Sequence, residues 1–128
     1  MNNNTISEIQ KKREMLKIKA CELIKSGVLV HDPERLDIRG DLTCGKDVEI
    51  DINVIVEGKV ILGDGVSIGA NSFLINCEIG NGTKIKPFSF IENSLIGKNS
   101  FVGPYARIRP GTLISDNVQI GNFVEIKN

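Results

Sequence analysis

One histidine, three cysteines and an N-terminal run of cations are the residue types in this 128-residue chain that could carry chemistry. A single His31 cannot build a histidine-rich metal site, which needs several imidazoles around one ion. The thiols of Cys21, Cys44 and Cys77 form neither a CxxC pair nor an even disulfide set. They read as free thiols in a reducing compartment, used as small apolar fillers. Lys11, Lys12, Arg13, Lys17, Lys19 and Lys25 outnumber Glu8, Glu14 and Glu22 near the start. No aromatic side chains lie between them, so they describe a solvated helix face and not a nucleic-acid surface.

Length allows one domain with an appendage. No continuous apolar run of signal-peptide or membrane-span length occurs near the N-terminus, so a cytoplasmic protein without membrane contact is expected. Trp is absent and aromatic residues are few. An all-aliphatic core of this kind needs a regular repeat to organise it.

Residues 7 to about 26 carry a helical pattern. Ser7 with Gln10 has the form of a capping box, Ile9, Leu16, Ala20, Leu23 and Ile24 share one face, and Gly27 is placed to end the helix in the left-handed conformation. Asp32-Pro33 then breaks it. From Ile38 an aliphatic residue recurs every six positions through Cys44, Ile50, Val56, Leu62, Ile68 and Leu74. After one step of five it resumes at Ile79, Ile85 and Ile91. A second step of five leads to Ile96, Val102, Ile108, Ile114, Ile120 and Ile126.

Four residues after most of these stands a small or β-branched side chain, such as Val48, Val60, Ser72, Thr83 or Ser100. Glycine often follows the aliphatic position directly, at Gly45, Gly63, Gly69, Gly80, Gly97, Gly103 and Gly121. A period of six fits neither a helix nor a freely alternating strand. It fits one short strand and one corner per hexad, three hexads making a triangular coil of about 18 residues. Glycine would supply positive φ at corners, and the steps of five would fall at corners too. The reading is mainly β: residues 1–37 form a helix and linker, and 38–128 a hexapeptide-repeat solenoid of about five coils. The inner column alone cannot offset the entropy of ordering so many residues, so outer faces should be buried by self-association.

The run HDPERLDIRGDLTCGKDVEIDINVIVEGKVILG, followed by GPYARIRPGT and IGNFVEIK, closely resembles the bacterial bifunctional N-acetylglucosamine-1-phosphate uridyltransferase and glucosamine-1-phosphate acetyltransferase. The likeness runs from the linker helix through the coils. It implies a left-handed parallel β-helix, contrary to the usual crossover hand, in a homotrimer. It also implies a part in UDP-N-acetylglucosamine synthesis, with acetyl-CoA and Mg²⁺ as the family's cofactors. Arg109 in ARIRPG matches the family arginine that contacts the sugar phosphate, and Lys127 in GNFVEIK its partner lysine. A guanidinium fork and an ammonium together suit a phosphate monoester.

The resemblance places the general-base His, the residues holding the sugar and the acetyl-CoA surface after Asn128, and the nucleotidyltransferase domain before the helix. One of Asn2 to Asn4 stands nearest that domain's metal-ligand Asn. His31 occupies a loop where the family has no catalytic residue. No catalytic residue, metal or cofactor is therefore assigned to this chain, which is expected to be inactive by itself while binding a sugar phosphate weakly. The alternative is a non-catalytic trimeric β-helix scaffold for a protein partner.

Overall fold

The computed structural model describes residues 3–121 and 125–126. Helix α1 covers Asn3–Lys25. It starts a turn before Ser7, so the capping box is not used: Ser-x-x-Gln is also ordinary helix surface, and nothing in Asn-Thr-Ile stops the helix from running through. The C-terminal expectation holds. Gly27 has φ +104, Gly27 N donates to Ile24 O at 3.0 Å and Val28 N to Leu23 O at 3.0 Å, the paired bonds of a Schellman ending. Of the five residues expected on one apolar face, Ala20 is fully buried and Leu16 and Leu23 are half-buried, whereas Ile9 and Ile24 stay exposed. The helix crosses the first coil with only its central stripe, and Lys19 Nζ reaches the carbonyls of Ile38 at 3.5 Å and Gly40 at 3.4 Å.

After the helix, Leu29–Val30 already pairs in parallel with Glu49–Ile50. Asp32 then caps a 3₁₀ turn, Pro33–Arg35, by accepting from Glu34 N at 3.0 Å. The chain winds on as a three-sided solenoid. The first face is a six-stranded parallel sheet that runs from Leu29–Val30 through Glu49–Ile50, Ser67–Ile68, Lys84–Ile85, Phe101–Val102 and Gln119–Ile120. The second and third faces share three long strands that bend over the edge between them, Leu36–Cys44, Val54–Leu62 and Phe73–Ile79. Two-residue and three-residue strands follow, Phe90–Glu92, Arg107–Ile108 and Glu125–Ile126 on the second face, Leu95–Ile96 and Leu113–Ile114 on the third. This is the expected fold class, mainly β with one helix and about five coils.

The six-residue column points inward. Ile50, Val56, Leu62, Ile68, Leu74, Ile85 and Ile91 are essentially inaccessible, and only Cys44, Ile114 and Ile126 are partly covered. Successive members stack directly, as in Val56 on Leu74 and Leu74 on Ile91. Both steps of five lie at the edge between the second and third faces, where the ladder slips between Glu57 and Val60. There Gly58 gives way to Asn76 and Asn93, each with φ 45, so the shortened coils lose their residue at a corner, as expected.

Glycine supplies the expected positive φ at the corners Gly58, Gly65, Gly82 and Gly111. Among the glycines that follow the column, only Gly103 has positive φ. The left-handed corner positions are held largely by Asn and Asp, including Asp47, Asn53, Asn71, Asn99 and Asn117, whose short polar side chains tolerate that conformation. The column-following glycines serve clearance instead. A Cβ on Gly63 would stand 2.8 Å from Asn81 N, and one on Gly80 2.7 Å from the Gly97 carbonyl carbon. Coils approach there too closely for a side chain.

Candidate functional site

Arg109 follows the inward Ile108 at the edge where the second face turns into the third. Its backbone is fixed from both neighbouring coils. The N–H donates to Ile126 O at 2.9 Å, and its carbonyl accepts from Ser94 Oγ at 2.9 Å and Thr112 Oγ1 at 2.6 Å. The side chain is 45% exposed and sets Nη1 3.0 Å from Glu125 Oε1. An anion approaching this guanidinium therefore meets a group already oriented outward, in competition with one carboxylate. Lys127, the other expected ligand, lies outside the described residues. Glu125 was not anticipated, although it stands one coil on from Arg107, against which it pairs.

His31 lies exposed at the surface, where two carboxylates hold it. Nε2 lies 2.6 Å from Glu49 Oε2 and Nδ1 3.4 Å from Asp51 Oδ1. The hydrogen bond to Glu49 raises its pKa above the ordinary 6.5; desolvation opposes it, and the charges of Asp51 and Glu49 add to the rise. Counting one coil forward from His31 finds Glu49, so the 18-residue spacing carried this signal. His31 stands in the first coil and Arg109 in the fifth, about 20 Å apart at the usual strand spacing, so the structure does not bring them together.

The thiols behave as fillers. Burial pushes Cys77 up to about 12 and Cys44 up to about 11, which makes them poor nucleophiles near neutrality, while Cys21 is exposed and all three are unpaired. Among the described residues no three His, Cys, Asp or Glu converge as a metal site, and no helix is long and apolar enough to cross a membrane. Two shallow depressions mark the surface. One of about 670 Å³ separates α1 from the first coil beside Arg13, Lys17 and Arg35. The other, about 480 Å³, runs along the third face over Ile61, Leu95 and Leu113.

Comparison with known proteins agrees with this geometry. Residues 38–128 match the family described as the GMPPB C-terminal domain. Over 109 residues the chain is 54% identical to the bifunctional protein GlmU of Nitrosospira multiformis and 53% identical to that of an Azoarcus species. Each alignment covers 85% of this chain but 24% of the relative, so the chain spans about a quarter of those proteins' length. The acetyltransferase domain of PglB from Neisseria gonorrhoeae superposes with a TM-score of 0.73 at 22% identity, over 78% of this chain and 49% of that one. PerB from Caulobacter crescentus, solved with CoA and GDP-perosamine, gives 0.73 at 16% identity over 91% and 58%. At those identities the likeness is one of fold. With the repeat, the corner chemistry and the family match in agreement, this chain belongs to the family of the GMPPB C-terminal domain and is a homologue of the stretch of GlmU that it spans.

Proposed function

We propose that this chain supplies the linker helix and leading coils of a GlmU-like acetyltransferase domain, acting as trimer scaffold and as one corner of a site for glucosamine-1-phosphate. The observation that carries the reading is identity near one half, over 109 residues, to proteins named GlmU. In this reading Arg109 takes the phosphate with two guanidinium N–H groups and releases Glu125, and Lys127 adds a second positive charge.

The remaining chemistry is not assigned to these residues. Acetyl transfer needs a base for the proton of the attacking amine, and His31 is held by Glu49 and Asp51 in the first coil, far from Arg109. The described residues do not fit the family's Mg²⁺, since no set of acidic or imidazole ligands converges. Exposed apolar side chains on the outer faces, such as Phe101, support self-association, which would cover them, and the trimer is the state that the resemblance implies.

The test is binding and turnover with glucosamine-1-phosphate and acetyl-CoA. Weak binding without turnover is expected, with affinity falling about tenfold to a hundredfold in Arg109→Ala, the value of a charged hydrogen bond. Turnover that survives purification and disappears in Arg109→Ala would overturn the assignment of an incomplete site, and unchanged affinity in that variant would remove Arg109 from it.

A further inference from the structure

The three edges of the solenoid are not alike. Two are built from residues that a left-handed backbone suits: Asp47, Gly65, Gly82, Asn99 and Asn117 along one, Gly58, Asn76, Asn93 and Gly111 along the other. The edge between the first and second faces begins the same way, with Asn53 and Asn71, and then carries Phe88 at φ 62 and Tyr105 at φ 58. Large aromatic residues are rare in that conformation. Here they stack on each other with centroids 5.1 Å apart and planes 8° from parallel, yet remain 50% and 45% exposed. Phe101 flanks them on the first face, with Lys86 Nζ 5.7 Å from its ring. Phe90 flanks them on the second, beneath Arg107 at 6.0 Å. Every aromatic side chain among the described residues gathers around this one edge.

We propose that this edge is the contact between copies of the chain, Phe88 and Tyr105 of each copy meeting at a threefold axis parallel to the solenoid. The inference rests on the trimeric reading above and adds where the copies touch. A cyclic trimer of three-sided prisms brings one edge of each to the axis and turns the first face of one copy toward the second face of the next. The corner residues of the other two edges are Asp, Asn and Gly, which bring no aromatic ring to the axis. The facing rows are complementary coil by coil. Lys84 stands outward on the first face at the level of Phe90 on the second, and Phe101 at the level of Arg107, so each level opposes a cation and a ring. Neither Lys84 nor Arg107 takes part in an ion pair among the described residues, although Lys84 Nζ already donates to Gly65 O at 2.9 Å.

The double variant Phe88→Asn with Tyr105→Asn tests this, because Asn already fills the same position at Asn53 and Asn71 and keeps the backbone. By light scattering the unaltered chain should be a trimer. The double variant should be a monomer with unchanged far-ultraviolet circular dichroism, its association weakened about a hundredfold or more. Leu95→Asn with Leu113→Asn, on the third face, should remain a trimer. A double variant that associates as before would overturn the edge contact and leave the trimer standing. Loss of association in the third-face variant would move the contact there and equally overturn it. A monomeric unaltered chain would overturn both readings. A second measurement needs no substitution. Tyr105 is the only tyrosine and Trp is absent, so tyrosine emission reports on this edge alone. Acrylamide quenching should fall as concentration is raised through assembly, and quenching that stays constant while the mass triples would refute the proposal.

Discussion

The lower coils and the upper coils fill the same interior with different chemistry. In both, the six-residue column is aliphatic and buried. The second inward position differs: Val48, Val54, Val60 and Val66 stand below, and mostly hydroxyls above, Ser72, Thr83, Ser89, Ser94, Ser100 and Thr112, with Cys77 and Ala106 among them; all are buried. The hydroxyls are bonded to the corners. Thr83 Oγ1 donates to Gly97 O at 2.6 Å and accepts from Ser100 N at 3.1 Å. Ser100 Oγ donates to Ser115 O at 3.0 Å and accepts from Val118 N at 3.1 Å. No buried side-chain polar atom among the described residues lacks a partner. The column therefore sets the phase of the solenoid, and the second position can be a methyl or a hydroxyl provided that the hydroxyl finds a corner carbonyl and amide.

The column should be equally intolerant in both regions. Ile85→Asp above and Val56→Asp below each place an unpaired carboxylate in an apolar stack at a site no more than 1% exposed. That penalty is comparable with the whole stability of a small domain, about 5–15 kcal/mol, and both variants should be unfolded by circular dichroism. A soluble, cooperative Ile85→Asp variant would show the inward phase to be wrong.

Clearance between coils gives a smaller effect. In Gly97→Ala the new Cβ would sit 2.7 Å from Asp116 N, so backbone must move, at about 1–3 kcal/mol for overpacking. Gly121→Ala meets nothing within 4 Å and should stay within about 0.5 kcal/mol of the unaltered chain. Urea denaturation of the pair distinguishes clearance from a conformational need for glycine, which would penalise both.

The exchange of methyl for hydroxyl tests the comparison itself. Thr83→Val leaves Gly97 O and Ser100 N without this partner and should cost about 1–2 kcal/mol. In Val66→Thr, one coil below, the new hydroxyl faces the corresponding Gly80 carbonyl, which already accepts from Thr83 N at 3.3 Å, and stability should change by less than about 1 kcal/mol. Equal losses in the two variants would mean that lower and upper corners are not built alike.

The column was legible because its period matches neither helix nor plain strand, and both steps of five fell where a solenoid loses residues most easily. The corners were read only in part, because glycine, which does hold the corners at Gly58, Gly65, Gly82 and Gly111, is conspicuous in sequence and the left-handed tolerance of Asn53, Asn71 and Asn117 is not. Ser7 misled because a capping box and a helical surface share one pattern. At the candidate site the motif drew attention to Arg109, but its ion-pair partner Glu125 required knowing which residues stack. The Phe88 and Tyr105 edge escaped for the same reason, since neither residue belongs to the repeating column that drew attention.

The smallest effect lies in the lowest coil. His31, Asp51, Gly69, Lys86 and Gly103 occupy equivalent places after successive strands of the first face, so an imidazole clamped by carboxylates occurs only at the bottom of this row. Its raised pKa, due first to the Glu49 hydrogen bond and then to the charges of Asp51 and Glu49, fixes the sign. The folded chain holds the proton more tightly than the unfolded one. The stabilisation is thus complete below the ordinary 6.5 and is lost as pH rises through the higher folded value. The side chain is 37% exposed, so solvent and salt keep the effect modest. Proton NMR of the imidazole should place its titration above 6.5, return it toward the ordinary value in Glu49→Gln, and shift it less in Asp51→Asn, where the contact is 3.4 Å. Hydrogen exchange should then show the amide of His31, bonded to Ile50 O at 3.0 Å, losing protection across that pH window beyond the chemical change in exchange rate. The amide of Phe101, bonded to Val118 O at 2.8 Å in the upper coils, should show none. A uniform loss in both would mean that the titration acts on the whole solenoid and not on the strand that His31 ties down.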